Sequence, residues 1–476
     1  MKLSETYDTI VLNRTYGNFR QYLKNEFDLV NKAHLVMLSR TGILHSETVH
    51  TIKEGLVRYG QLTEFPERKP EDVEDYFFYA EQKLSEYVGD ATAGSLHLAR
   101  SRNDLDTTLF RMVMRDNIVT WVSRIVRLLE GMLQRCRETE FTPVVLYTHG
   151  QPAQISSFAH YLGAMISEIL ETLSLSCDAY SFVNKCPMGA CAITTTGFPI
   201  DRALVSSLLG FIEPVANSYQ AISTSHWLLI PVQNWILFLN DLTRFIEDMI
   251  HKSSYEVGIL SYPDDLVQIS SIMPQKRNPV ILEHIRIKAG IVLGVFQSFF
   301  NVFHNTGYQD INENGDRTLE ALQKAFFEML ETVDLFEEAV LKCTVDTQRV
   351  NEIANKSGIT VTELADEIVR EEKIDFRSAH TIVSRFIKEG SSYESLKQAF
   401  YEKTGKVLSL SENRIREILT PDHFLRIRKV YGGPGAMNAF FLRISGEIEL
   451  LRKRASEDYN RLCWSRNNLL EAFNQL

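Results

Sequence analysis

The sequence predicts an all-helical protein on three observations. Five long segments repeat apolar residues every three or four positions, almost no Gly or Pro interrupts them, and alternating apolar runs bounded by hairpin turns are scarce. A chain of 476 residues is too long for one hydrophobic core, so two or three domains are expected. Its texture divides into an N-terminal helical region over 1–100, a central long-helix region over 101–345 and a C-terminal helical region over 346–476.

Residues 1–100 hold short helical patterns, broken at Gly42, Gly60 and the polar run Glu64 to Asp72, which includes Pro66 and Pro70. The first long helix follows Asn103, with Leu105, Leu109, Met112, Ile118, Val122 and Ile125 down one side. The other four are expected near 152–185, 217–251, 279–304 and 317–343. After 345 the patterns shorten to Thr362–Glu372 and Ser378–Glu389 before a final helix from Met437 onward. Helices of this length need apolar stripes packed on neighbours, as in a bundle. The aromatic face Phe296, Phe299, Phe300 and Phe303 predicts packing against further subunits, a monomer core being the alternative.

Composition narrows the function classes. Hydrophobic residues at 44% and charged residues at 24% are those of an ordinary globular protein. The net charge of −10 is spread along the chain and no basic block is present, so nucleic acid is not an expected partner. The six cysteines lack CxxC spacing, which fits reduced thiols. Charges at Lys2, Glu5, Asp8 and Arg14 leave no apolar run of signal-peptide type. The most apolar stretch, Trp227 to Leu239, is broken by Pro231, Gln233 and Asn234 and falls short of the roughly 20 residues that span a bilayer. A cytoplasmic protein without a membrane partner is the expectation.

Three connections crowd polar residues together. His97 to Asp104 contains Arg100-Ser101-Arg102-Asn103-Asp104; Ser, Asn and Asp suit a helix start, while two arginines beside a helix N-terminus also suit a carboxylate. Tyr147 to Gln154 sets His149 among Thr148, Gln151 and Gln154, just before an expected helix, where it serves either structure or proton transfer. Ser270-Ser271-Ile272-Met273-Pro274-Gln275-Lys276-Arg277-Asn278-Pro279 is the most specific, since a solvated basic turn has no need of that pattern.

This last run resembles the mobile signature loop of the fumarase/aspartase superfamily, and Gln275 with the Lys-Arg pair places it near the argininosuccinate lyase family. Ser101 to Asp104, Thr148-His149 with Gln151, Pro187 to Ala190, Phe198 to Arg202, Leu364 to Asp366 and Phe376 to His380 are similar to segments of that family, over residues from about 25 to 450. The resemblance implies a three-domain helical fold and a homotetramer with a twenty-helix core, each active site being assembled from three subunits. It implies a carbon-nitrogen lyase that cleaves an N-substituted aspartate by β-elimination to fumarate and an amine, with no metal and no organic cofactor.

The roles it implies are specific. Ser270 would be the base, and Lys276 would hold the doubly charged aci-carboxylate intermediate, with Asn278 a neutral donor beside it. His149 would serve the leaving group or act electrostatically, oriented by Glu283. Ser101, Arg102, Asn103, Thr148, Gln151 and Met273 would contact substrate, and Arg102 is the natural charge partner of a succinyl carboxylate. Asn31 and Tyr308 stand at further substrate-contact positions.

The sequence departs from the family where the amine would bind. A small Gly-Ser pair is Val30-Asn31, an Asp-Ile-His segment is Asp75-Tyr76-Phe77, and an Asp-Arg-Asp segment is Thr224-Ser225-His226. A Tyr-Asn-x-Asp segment survives as Tyr308-Gln309-Asp310, and the glycine before the serine pair is Ile269. With the amine end rewritten, the chain resembles a paralogue subgroup that includes ethylenediamine-disuccinate lyase, at His304-Asn305-Thr306 and at the run from Ser270 to Pro279, and that subgroup is favoured. True argininosuccinate lyase is the alternative, and a non-catalytic structural protein on the same scaffold is a third reading.

Overall fold

The computed structural model describes residues 4–476 of a single chain. Its N-terminal part runs through helices α1 (Asn13–Tyr22), α2 (Lys24–Arg40), α3 (Ser46–Gly60) and α4 (Tyr76–Val88). The bundle follows: α5 (Arg102–Glu138), a hairpin of β1 (Pro143–Thr148) and β2 (Gln151–Ser157), then α6 (Phe158–Val183), α7 (His226–Ser253), α8 (Val280–Phe303) and α9 (Asp316–Lys342). Between α7 and α8, the two-residue strands β3 (Gln268–Ile269) and β4 (Arg277–Asn278) pair antiparallel and pinch the serine loop at its base. Among the described residues no helix is long and apolar enough to cross a membrane.

Contacts across the bundle fix the direction of each helix. Arg111 near the start of α5 donates to the carbonyl of Phe182 at the end of α6, while Cys136 near the end of α5 reaches that of Ala159 at the start of α6. Tyr161 donates to Asp248 at 2.7 Å, so the start of α6 lies by the end of α7. Arg286 pairs with Glu247, and Lys288 pairs with Glu331 at 2.8 Å. Arg124 bridges Asp334 and Glu337, both at 2.6 Å, making α5 and α9 parallel. Thus α5, α7 and α9 run one way and α6 and α8 the other. With 37 residues, α5 alone is about 55 Å long, which separates the two ends of the bundle.

The core is one continuous apolar cluster, from Tyr16 through Trp121, Trp227, Trp235 and Phe336 to the last helix, α14 (Met437–Asn474). A second cluster is built by α10 (Val361–Glu372), α11 (Phe376–Lys388), α12 (Tyr393–Thr404) and α13 (Glu412–Ile418), around Leu364, Ile382, Phe386 and Phe400. The final helix leaves this group and returns to the bundle, where Arg137 of α5 donates to Ser445.

The structure corrects two of the expected helices. The segment expected to be helical from 152 is strand until Ser157, whose hydroxyl caps α6 by accepting from the His160 amide at 3.1 Å. Its strand character was hidden because β1 does not alternate in burial and β2 carries Pro152. The expected helix 217–251 is two helices, Ser218–Ser223 and α7, interrupted at Thr224-Ser225.

Candidate active site

The three polar connections fall at opposite ends of the bundle. Ser101, Arg102 and Asn103 open α5, and Tyr308 lies between α8 and α9 at that same end. His149 and the serine loop lie at the other end, in the α5–α6 and α7–α8 connections, with Glu283 in the first turn of α8.

At the first end, Ser101 caps α5 in a capping box: its hydroxyl accepts from the Asn103 amide, and Asp104 Oδ1 accepts from the Ser101 amide at 2.8 Å. Asn103 Nδ2 donates to the carbonyl of Ala192 at 3.1 Å. Arg102 Nη2 pairs with Asp75 Oδ2 at 2.5 Å and lies over the Phe78 ring, 5.6 Å from its centroid. Asp75 is itself fixed as the cap of α4, accepting from the Phe78 amide at 3.1 Å. These two residues and Asp106, Asp316, Arg14 and Arg317 line a cleft of 590 Å³. Burial pushes the Asp106 carboxyl up to about 7, reinforced by Asp75, Asp316 and Asp310 and opposed by Arg102. Tyr308 is exposed, its carbonyl taken by the Tyr219 hydroxyl, with the two rings edge to face at 5.3 Å. Asn31 is only 3% exposed, and its side-chain oxygen accepts from Arg100 Nη1 at 2.6 Å, which makes it a partner of that arginine.

At the second end, His149 and Gly150 are the two central residues of the β1–β2 turn, with φ of 53° and 74°. Two consecutive positive φ values define a tight primed hairpin turn, which lifts His149 to the tip instead of placing it before a helix as expected. Thr148, His149, Gly150 and Gln151 are all exposed.

The serine loop projects from the β3–β4 pinch. Ser270 Oγ accepts from the amides of Met273 at 3.1 Å and Ile272 at 3.4 Å. Residues 271–277 are exposed, Lys276 and Met273 among them, while Asn278 is half-buried in β4. Arg277 is tied down, pairing with Asp264 and donating to the Tyr262 carbonyl at 3.2 Å. Glu283 is exposed on α8.

A single chain therefore places Ser101, Arg102, Asn103 and Tyr308 at one end of the bundle, and Thr148, His149, Gln151, Ser270, Lys276 and Glu283 at the far end. Sequence reasoning took Asp104 only as part of a helix start and passed over Asp106. Asp104 stands on the first turn of α5, where a cap residue also stands, and Asp106 carries no local signal one turn further on.

Residues 72–294 match a family described as Lyase, and residues 358–426 one described as Argininosuccinate lyase C-terminal, which coincides with the second apolar cluster. The protein described as argininosuccinate lyase 2 of Agrobacterium fabrum is 36% identical over 482 residues, covering 99% of this chain and 96% of its own. The argininosuccinate lyase of Methanospirillum hungatei is 31% identical over 458 residues, covering 94% and 90%. The solved structure of EDDS lyase with formate superposes with a TM-score of 0.83 at 26% identity, covering 96% of this chain and 92% of that one. A variant of the same enzyme was solved with bound fumarate. A class II fumarase from Schistosoma mansoni, with a TM-score of 0.68 at 15% identity over 87% of this chain and 92% of its own, shares the fold. The chain belongs to the argininosuccinate lyase family of the fumarase/aspartase superfamily and is a carbon-nitrogen lyase that releases fumarate.

Proposed function

We propose that this lyase cleaves an N-substituted aspartate other than argininosuccinate, with Ser270 as the base, in a homotetramer whose sites are shared between subunits. The observation that carries the reading is the environment of Ser270. Its Oγ faces two backbone N–H groups in an otherwise unburdened loop. A hydroxyl is a poor base because its alkoxide is unstable, and donors already aimed at the oxygen favour the charged form without reorganisation. Loop closure would expel water and strengthen those donors further.

In the proposed step, Ser270 removes the proton from the carbon beside one carboxylate. The electrons left behind form the aci-carboxylate, held by Lys276 and Asn278. Their return forms the C=C bond of fumarate as the C–N bond breaks and the nitrogen takes a proton. His149, steered by Glu283, serves that nitrogen, and Arg102 with Ser101, Asn103, Thr148 and Gln151 holds the remaining carboxylate. Sharing between subunits is supported by the bundle itself, since about 55 Å separates Arg102 from the end that carries His149 and Ser270. A neighbour packed antiparallel brings opposite ends together.

The choice of amine rests on the end near Arg102. Phe77 packs on Phe27 and His97, and Asn31 is occupied by Arg100, so neither position offers a free polar partner. A guanidinium and an amino-acid head both need such partners when they leave water. The test compares kcat/KM for argininosuccinate, ethylenediamine-N,N′-disuccinate and simple N-alkyl aspartates by fumarate absorbance. Argininosuccinate is expected to be a poor substrate, and a tenfold or greater preference for it would overturn the proposed amine specificity.

A further inference from the structure

Asp104 carries more bonds than a helix cap requires. One oxygen, Oδ1, completes the capping box on the Ser101 amide. The other, Oδ2, accepts from two amides 85 and 87 residues away, Gly189 at 2.8 Å and Cys191 at 2.9 Å. Both donors lie in left-handed backbone, with φ of 84° at Gly189 and 54° at Cys191. The second value is uncommon for a residue with a side chain. The strained turn thus points two N–H groups at one oxygen. Two more ties join the same segments: Asn103 Nδ2 to the Ala192 carbonyl at 3.1 Å, and Cys191 Sγ to the Ala99 carbonyl at 3.2 Å. Asp104 has no exposed surface, and among the described residues no direct ion pair compensates its charge.

We propose that Asp104 is a positioning residue: by holding the Ser101, Gly189 and Cys191 amides at once, its ionised carboxylate clamps residues 99–104 to 187–192 and sets Ser101, Arg102 and Asn103 for the substrate carboxylate. The inference rests on the proposed role of those three residues. The anion accepts these three bonds most strongly, because protonation takes up a lone pair and removes the charge that strengthens them. The charged group acting on it is Arg100 on the preceding loop, which favours the anion; the clamped segment adds the neutral Cys191 thiol, and Arg202 beyond it donates to the Met188 carbonyl at 3.1 Å. Burial nevertheless pushes the carboxyl up to about 6, within reach of mild acid.

The experiment measures fumarate binding by calorimetry between pH 5.5 and 8 for the wild type, Asp104→Asn and Gly189→Ala. Wild-type affinity is expected to fall below about pH 6. Asp104→Asn should bind about tenfold more weakly at pH 8 and lose that acidic limb, which a purely structural defect would leave in place. Gly189→Ala keeps the carboxylate but brings its Cβ to 2.6 Å from Arg202 Cγ, which displaces one donor, and about a threefold loss is expected. If Asp104→Asn does not assemble, Gly189→Ala and the wild-type profile decide. Fumarate affinity unchanged within twofold in the assembled variants, or an acidic limb that survives in Asp104→Asn, would overturn the inference alone. Wild-type protein that binds no fumarate would overturn the proposed carboxylate-binding role of Ser101, Arg102 and Asn103 and this inference with it.

Discussion

Ser270 and Arg102 make different demands on the reaction, and their variants should fail differently. Removing the hydroxyl in Ser270→Ala deletes the proposed base while touching no core packing, so kcat should fall by about 10²- to 10⁴-fold with the fold intact. A variant retaining more than about a tenth of wild-type kcat, a deficit of only ~1.4 kcal/mol, would remove Ser270 from that role. Arg102→Ala takes away a charged hydrogen bond to a carboxylate that persists from substrate to product, which should raise KM by about ten- to a hundredfold and change kcat less. A defect confined to kcat would instead assign Arg102 to the transition state. Both candidates come from sequence patterns, the serine-loop run and two arginines at a helix start that suit a carboxylate as well as a cap. Asp75, Asp104 and Asp106 were not legible in this way, since their significance comes from burial and from partners as distant as Gly189 and Asp316, neither of which a local pattern encodes.

Among the elements, regular helices were read most faithfully. The apolar period of α5 and the Ser101–Asp104 box foretold its start, and α8 and α9 begin within one residue of expectation. The β1–β2 hairpin escaped because its turn uses His149-Gly150 in place of the usual Asn-Gly, and its strands are covered unevenly by neighbouring helices. The docking of α1 also depends on distant chemistry. Glu320 on α9 accepts from Arg14 at 2.8 and 2.9 Å and from Asn18 at 3.0 Å, while Lys324 and Arg317 bond to it from its own helix. The Arg14 bond, with help from Lys324 and Asn18, lowers the Glu320 carboxyl from an ordinary 4.5 to about 2 against the opposing effect of burial. A depressed folded value stabilises the docked state above 4.5, and that contribution is lost as pH falls from there towards 2. Amide exchange in α1 should therefore accelerate over this interval ahead of exchange in α5, and Glu320→Gln should flatten the difference. Equal acceleration in both helices would show that Glu320 does not govern the docking.

At the scale of the whole molecule, the decisive fact is that the candidate site residues of one chain lie at opposite ends of the bundle. Parallel α5, α7 and α9 against antiparallel α6 and α8 put Arg102 and Tyr308 at one end and His149, Ser270 and Lys276 at the other. Exposed apolar residues on the bundle flank, such as Ile287, Ile291 and Phe327, are available to pack against neighbours. Light scattering should give about four times the 54.6 kDa chain mass, and an active monomer would contradict the shared-site reading. Mixing gives a sharper measurement. Let Arg102→Ala and Ser270→Ala be co-expressed in equal amounts and assayed at substrate well below the wild-type KM, where each alone is nearly inactive. If Arg102 and Ser270 of every site come from different subunits and assembly is random, each intact residue is present half the time. About one site in four then holds both, and the mixture should recover about a quarter of the wild-type rate per site at that substrate concentration. If both residues came from the same chain, every site would carry one lesion or the other, and mixing would recover nothing above the two parents. The control is to combine the separately purified variants without a dissociation step: activity should stay at parental levels until subunits exchange, because recovery requires new tetramers and not a soluble factor.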